Sequence, residues 1–141
     1  MTDDSKNSKD SKLHKQLITA IICNNIRAIK QILKHEVKIN QADKSGVTPL
    51  MYAIDFGNTD VAELLIKSGA NVNAINKKGN NALMEIISKS NYPNRYAMTK
   101  LLLKNNIDVN YVGQFGRTAL YLCKLYQPRY IALLKRFGAR Y

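Results

Sequence analysis

The stretch that decides the fold runs from Asp43 to Ala74 and reads DKSGVTPLMYAIDFGNTDVAELLIKSGANVNA. It opens with Asp43 and, three residues later, Gly46. This spacing is typical of a β-turn, because Asp supplies a side-chain acceptor and Gly a permissive backbone. Thr48 then favours a helix N-cap, with Pro49 at the first helical position, where its missing N–H costs nothing. The sequence therefore predicts a turn that leads directly into a helix.

Two short helices are predicted in this stretch. The first carries Leu50, Ala53 and Ile54 on the face expected to pack. The second runs over residues 59–67 and ends before Gly69, because glycine adopts the left-handed conformation after a helix at little cost. Neither helix can bury its apolar face alone, so the pair requires neighbours of the same kind.

The same unit recurs along the chain. Residues 17–40 align with residues 50–73 without a gap at a shift of 33, which pairs Asn40 with Asn73. The next equivalent residue, Asn110, follows Asn73 by 37 residues, so the third unit carries four extra residues, which we place near residues 92–95. Equivalent helix starts are predicted at Asn81 and Thr118.

In spacing and residue type these units resemble the ankyrin-repeat family, whose period is about 33 residues. The resemblance covers residues 12–141, although Met51, Met84 and Tyr121 stand where the family usually has His. It implies an all-α fold, an ankyrin-repeat solenoid of stacked helix pairs with projecting β-hairpin loops. The repeats are expected at about residues 12–41, 42–74, 75–110 and 111–141, after a disordered N-terminal tail over residues 1–11.

The net charge of +12 is the most unusual bulk property of the chain. Residues 1–11 contribute −1, and the four repeats contribute +5, −2, +4 and +6 in order, so the excess is greatest in the C-terminal half. Such a charge suits an acidic protein, a nucleic acid or an anionic membrane surface as a partner. It also serves solubility, and the sequence does not decide between these roles.

No catalytic or metal site is expected. His35 and Glu36 begin like a zinc-protease motif, but Ile39 stands where the second His is required, and zinc needs three or four ligands. Cys23 and Cys123 have no neighbouring His–acid pair and fall within predicted first helices, so both are expected to be buried, inert thiols. The chain is therefore expected not to be an enzyme and to hold no cofactor.

The cysteines also bear on the compartment. Two cysteines without metal-type spacing favour a reducing, cytoplasmic setting. Residues 1–11 lack the apolar core of a signal peptide, and no apolar run approaches the length of a membrane span. A cytoplasmic monomer is expected, while delivery into a host cell by a route that the sequence does not reveal stays open.

The resemblance also implies a binding face, because hairpin tips and the inner face of the first helices usually contact the partner in ankyrin-like proteins. Carried over by register, the candidate residues are Lys44, Asp55, Phe56, Lys77, Lys78, Lys89, Phe115, Arg117, Leu125 and Tyr126. The leading hypothesis is a non-catalytic protein–protein interaction module that binds another protein, acidic ones included, through this concave face. The alternative is charge-driven binding to a nucleic acid or an anionic membrane surface, with nucleic acid the less favoured partner.

Overall fold

The computed structural model describes the backbone of residues 3–140 and the side chains of residues 5–140. In that range the chain forms eight α-helices: α1 (Asp3–Ile22), α2 (Ile26–Ile32), α3 (Pro49–Asp55), α4 (Thr59–Lys67), α5 (Ala82–Ser88), α6 (Arg95–Lys104), α7 (Ala119–Tyr126) and α8 (Ile131–Arg136). Short 3-10 turns cover Gln114–Gly116 and Pro128–Tyr130. The β pairing of the described residues is a single antiparallel bridge between Ile75 and Asn81. The predicted all-α fold is confirmed.

The chain divides into two compact units, and the division falls between Asn71 and Val72. In the first unit, α1 packs on α2 and α3, and α3 packs on α4. In the second unit, α5 packs on α6 and α7, and α7 packs on α8. Each unit thus joins two helix pairs around an apolar core, to which Leu65 contributes in the first unit and Leu102 in the second, both fully buried.

The predicted helix caps are present at equivalent places. The Thr48 hydroxyl, the Asn81 side-chain carbonyl and the Thr118 hydroxyl each accept a hydrogen bond from the backbone N–H three residues later, at 3.3, 3.0 and 3.2 Å. Each cap satisfies one of the four N–H groups that a helix start leaves without an intrahelical partner. The predicted helix ends are confirmed as well, because Gly69 and Gly138 have φ angles of 99° and 91°.

The turns that precede α3 and α5 are closed by their first side chain. Asp43 accepts from the backbone N–H groups of Ser45 and Val47 at 2.8 and 3.0 Å. In addition, the Tyr52 hydroxyl donates to the Asp43 carboxylate, which holds the pKa of Asp43 below its ordinary value and raises the pKa of Tyr52. Asn76 closes the next turn in the same way, accepting from the N–H groups of Lys78 and Asn80 at 3.0 and 3.1 Å.

Three asparagines, one in the first unit and two in the second, each bind the backbone of a later helix end in their own unit. The Asn40 amide donates to the Gly69 carbonyl at 3.2 Å, and its oxygen accepts from the Asn71 N–H at 2.7 Å. The same two bonds join Asn73 to Asn106 and Asp108, and join Asn110 to Gly138 and Arg140. The recurrence of Asn at positions 40, 73 and 110 in the sequence therefore has a structural cause.

The N-terminal segment differs from the sequence expectation of a disordered tail over residues 1–11. Residues 1 and 2 lie outside the described range, but α1 begins at Asp3 and continues to Ile22 without a break. Leu17 and Ile21 are fully buried, so the later turns of α1 are fixed by packing. Extending an existing helix is far easier than starting one, because each added residue gains a hydrogen bond. The side chain of Asp10 also lies 3.6 Å from the Lys38 ammonium.

The extra residues of the third repeat form the connection between α5 and α6. This connection comprises residues 89–94, so Arg95, expected in the loop, instead opens α6. The side chains of Tyr92 and Arg95 are 8% and 6% exposed. The Arg95 guanidinium donates to the Lys89 carbonyl, and this bond helps to close the loop.

Replacing Leu65 with Ala tests the core. The Leu65 side chain is fully buried, so Leu65→Ala should lower the free energy of unfolding by about 2–5 kcal/mol through lost burial and a residual cavity. Val112, which is 58% exposed, provides the control, and Val112→Ala should change stability by less than about 0.5 kcal/mol. Chemical denaturation measures both, and a near-neutral Leu65→Ala would contradict the packing described here.

Replacing Asn73 with Ala tests the asparagine ties. Loss of the side chain leaves the Asp108 N–H and the Asn106 carbonyl without their partner, so stability should fall by about 1–2 kcal/mol. Asn91→Ala, an exposed position in the α5–α6 connection, is the matched control and should be close to neutral. Equal melting temperatures for the two variants would show that the ties do not stabilise the fold.

Candidate functional site

The candidate residues of the first unit lie at both ends of α3. Lys44 is exposed in the turn before this helix, whereas Asp55 is exposed at its last residue and Phe56 follows with 48% of its surface exposed. A helix of seven residues is about 10 Å long. The structure therefore separates Lys44 from Asp55 and Phe56.

The second unit brings four of the candidate residues together around one groove. The turn at residues 76–80 and α5 form one side, and the turn at residues 113–117 and α7 form the other. The volume of this groove, which we call the hairpin groove, is about 290 Å³. Its lining residues are Lys78, Asn80, Met84, Ser88, Gln114, Phe115, Arg117, Leu122 and Tyr126. Lys77, Lys89 and Leu125 lie outside this lining.

The two turns are held close together by glycine. A Cβ atom on Gly113 would lie 2.8 Å from the Gly79 carbonyl oxygen and 2.7 Å from the terminal methyl group of Met84. The Tyr111 hydroxyl donates to the same Gly79 carbonyl at 3.2 Å. A larger residue at position 113 would have to displace backbone atoms, so the groove depends on this glycine.

Phe115 is unusual in both exposure and backbone. Its side chain is 85% exposed, the highest value among the exposed large apolar residues described. Its φ is 62°, a left-handed conformation that costs a residue with a Cβ atom about 1–2 kcal/mol. The Arg117 guanidinium lies 5.4 Å from the centre of the Phe115 ring. The chain thus holds an aromatic ring in solvent at a cost in free energy, which is typical of functional positions.

The surroundings of the groove are strongly cationic. Residues 72–141 contain 12 Lys and Arg but only two Asp and Glu, and so carry +10 of the net charge of +12. One of the two acids, Glu85, accepts a hydrogen bond from the lining residue Asn80 at 2.8 Å. Burial acts to raise the pKa of Glu85, but hydrogen bonds from Asn80 and Asn76, together with the charges of Lys78 and Lys89, lower it overall. Glu85 is therefore ionised at neutral pH and hydrogen-bonded to Asn80.

The cysteines and His14 are not among the residues that line the hairpin groove. Cys123 is buried, and burial raises the pKa of its thiol to about 11, with Arg95 opposing the shift. The expectation that Cys23 is buried is wrong, because Cys23 follows the last residue of α1 and is exposed. His14 is buried, and its Nε2 lies 2.9 Å from the Gln41 carbonyl oxygen. No group of three or more His, Cys, Asp or Glu that could hold a metal occurs in the described part of the chain.

The sequence analysis did not identify the two buried apolar residues of the groove lining, Met84 and Leu122, which we call the floor of the groove. Met84 and Leu122 line it and are 1% and 5% exposed. Leu122 has no feature in the sequence that separates it from an ordinary core leucine. Met84 could have been noticed in the sequence, because it replaces a His that is usual in the family the sequence resembles.

The comparisons with known proteins agree with this architecture. Residues 3–76 match the family described as ankyrin repeats (3 copies). A protein of fowlpox virus (strain NVSL) named as an ankyrin repeat protein is 32% identical over 114 residues, which cover 80% of this chain and 18% of the relative. One of Acanthamoeba polyphaga mimivirus is 37% identical over 110 residues, 69% of this chain and 17% of the relative.

The name of a third relative includes domains other than ankyrin repeats. The ankyrin repeat, SAM and basic leucine zipper domain-containing protein 1 of Dasypus novemcinctus is 25% identical over 121 residues, 85% of this chain and 25% of the relative. The chain thus spans a quarter or less of the length of these three relatives.

The chain belongs to the ankyrin-repeat family. Ankyrin repeats generally serve as protein–protein interaction modules and not as enzymes. None of the helices in the described residues is both long and apolar enough to span a membrane.

Alkylation of the native protein tests the two cysteine environments. Thiolate is the species that reacts, so the exposed Cys23 should be modified by iodoacetamide at neutral pH, while the buried Cys123 should react only after denaturation. Mass spectrometry of the digested protein measures both positions. Equal labelling of the two cysteines in the native state would contradict the burial of Cys123.

Proposed function

We propose that the chain is a non-catalytic protein-binding module whose partner docks on the turns and first helices of residues 72–141. The observation that carries this proposal is a cluster of exposed apolar side chains at the hairpin groove. Phe115 and Tyr126 line the groove and are 85% and 53% exposed, and Leu125, which precedes Tyr126 in α7 and lies outside the lining, is 54% exposed. Aromatic side chains of this kind anchor protein interfaces when a partner buries them.

The second helices of this unit present a different surface. The large exposed aromatic residue of α6 is Tyr96, whose ring lies 6.4 Å from the ring of Tyr130. The Lys100 ammonium also lies 5.8 Å from the centre of the Tyr96 ring. Tyr96 is 57% exposed but has two contacts of its ring described within its own unit, whereas Arg117 is the one contact described for the Phe115 ring.

The setting of the protein is part of the proposal. Two of the relatives come from viruses, which favours action inside an infected cell. The cytoplasm of such a cell would keep the exposed Cys23 reduced. We expect the chain to act there as a monomer.

Capture of the partner tests the proposal directly. The full chain would be used as bait, followed by mass spectrometry, with a Phe115→Ala/Tyr126→Ala variant beside it. Wild type should retain a protein that this variant loses, because the variant removes the exposed anchors without touching the core. A Lys100→Glu/Lys104→Glu variant on α6 is the control and should retain the partner.

Binding kinetics separate the two kinds of contact. Lys77→Glu/Lys78→Glu should mainly slow association, with an effect that shrinks at higher salt, because exposed charges steer the encounter. Phe115→Ala and Tyr126→Ala should mainly speed dissociation, each weakening binding by at least about 1–2 kcal/mol. Surface plasmon resonance at low and high salt distinguishes them. Loss of the partner only with the α6 variant, or capture that nuclease treatment abolishes, would overturn the proposal.

A further inference from the structure

The hairpin groove combines an apolar floor with a volume suited to one side chain. Met84 and Leu122 form the floor, and both are nearly fully buried. At about 290 Å³ the groove lies at the lower end of the range for ligand sites, about 300–1,000 Å³. The methionine thioether is flexible and adapts to different apolar groups. An aliphatic or aromatic side chain is therefore the group that best matches this floor.

The rim of the groove adds positive charge beside the floor. Lys78 and Arg117 both line the groove. The guanidinium carbon of Arg117 lies 5.4 Å from the centre of the Phe115 ring, and a guanidinium can bind a carboxylate through two parallel hydrogen bonds. Because residues 72–141 contain 12 Lys and Arg but only two Asp and Glu, the rim favours carboxylates supplied from outside.

The backbone at Phe115 supports a role in binding. Ser45 and Lys78 occupy the equivalent position in the two preceding turns, and neither has a positive φ, whereas Phe115 has a φ of 62°. The unfavourable conformation of Phe115 is not offset by burial of its ring, which stays 85% exposed. Gly113 allows the two turns to lie close together, and the Tyr111 hydroxyl bonded to the Gly79 carbonyl joins them before any partner arrives, so little order has to be gained on binding.

We infer that the hairpin groove binds an acidic peptide segment, with one aromatic or aliphatic side chain on the Met84–Leu122 floor and carboxylates at Lys78 and Arg117. This inference rests on the proposed function and specifies the partner chemistry. A single-stranded nucleic acid fits less well, because bases bind by stacking on aromatic rings, whereas the floor of the groove is formed by Met84 and Leu122.

Selection from a library of random dodecapeptides displayed on phage tests the inference on the full chain. Enriched peptides should carry Asp or Glu on both sides of an aromatic or aliphatic residue. A fluorescein-labelled copy of the best peptide then gives dissociation constants by fluorescence anisotropy. Its binding should weaken when the central residue becomes Ala, when its acids become Asn or Gln, and when Lys78 of the protein becomes Glu.

Substitution of Phe115 gives a readout that a purely structural role would not. Phe115→Asn should raise the melting temperature, since Asn tolerates the left-handed conformation, yet weaken peptide binding by about tenfold or more. Phe115→Tyr should keep the affinity. The control is Val112→Asn, which changes an exposed apolar residue that is not part of the groove lining and should leave the dissociation constant unchanged. A Phe115→Asn variant that both melts lower and binds as tightly as wild type would overturn the role of this ring.

The remaining outcomes separate this inference from the proposed function. Enriched peptides that are uncharged but still depend on Phe115 would overturn the acidic partner and leave the protein-binding face intact. Peptides that ignore Phe115 and Lys78 but lose binding on Lys100→Glu/Lys104→Glu would overturn both. Failure to enrich any peptide, or displacement of the selected peptide by oligo(dT) or oligo(U) at lower concentration, would overturn the acidic-peptide inference.

Discussion

The arrangement of the helix ends depends on pairs of hydrogen bonds that Asn40, Asn73 and Asn110 make to backbone later in the same unit. Asn40 satisfies the Gly69 carbonyl and the Asn71 N–H, groups that a helix end and its following turn leave without a regular partner. An amide side chain can do both at once, because it carries a donor and an acceptor side by side. Within each unit the helix ends are thereby tied by backbone-directed bonds that do not depend on which side chains the turns display.

This independence leaves the turns open to variation. The caps and ties sit at the helix ends, and the apolar core lies between the helices, so residues 113–117 can carry an exposed ring and a guanidinium without disturbing either. The lack of a side chain on Gly113 then allows this turn to approach the turn that contains Gly79. A groove with an apolar floor and a cationic rim results from backbone proximity, and its chemistry comes from a handful of side chains.

Features fixed by local chemistry could be predicted from the sequence. Thr48 and Asn81 were recognisable as caps because capping needs only the side chain and the three residues that follow it. The start of α1 was not predictable, since its first turns are polar and extend a helix that Leu17 and Ile21 fix by packing. Phe115 was identified by register, but its left-handed backbone and the Met84 floor depend on how two turns distant in sequence meet. Exposure of Cys23 was missed because the helix ends one residue earlier.

Backbone amide NMR of the full chain, titrated with the purified partner, is the most direct test that the turns and first helices of residues 72–141 form the binding site. Progressive shifts are expected for the amides of residues 77–80, 113–117 and 122–126, which belong to the two turns and the C-terminal part of α7. The amides of α6 should stay unchanged, since this helix lies outside the groove. Shifts concentrated in α6 and α8, with residues 113–117 unaffected, would contradict a hairpin-face site.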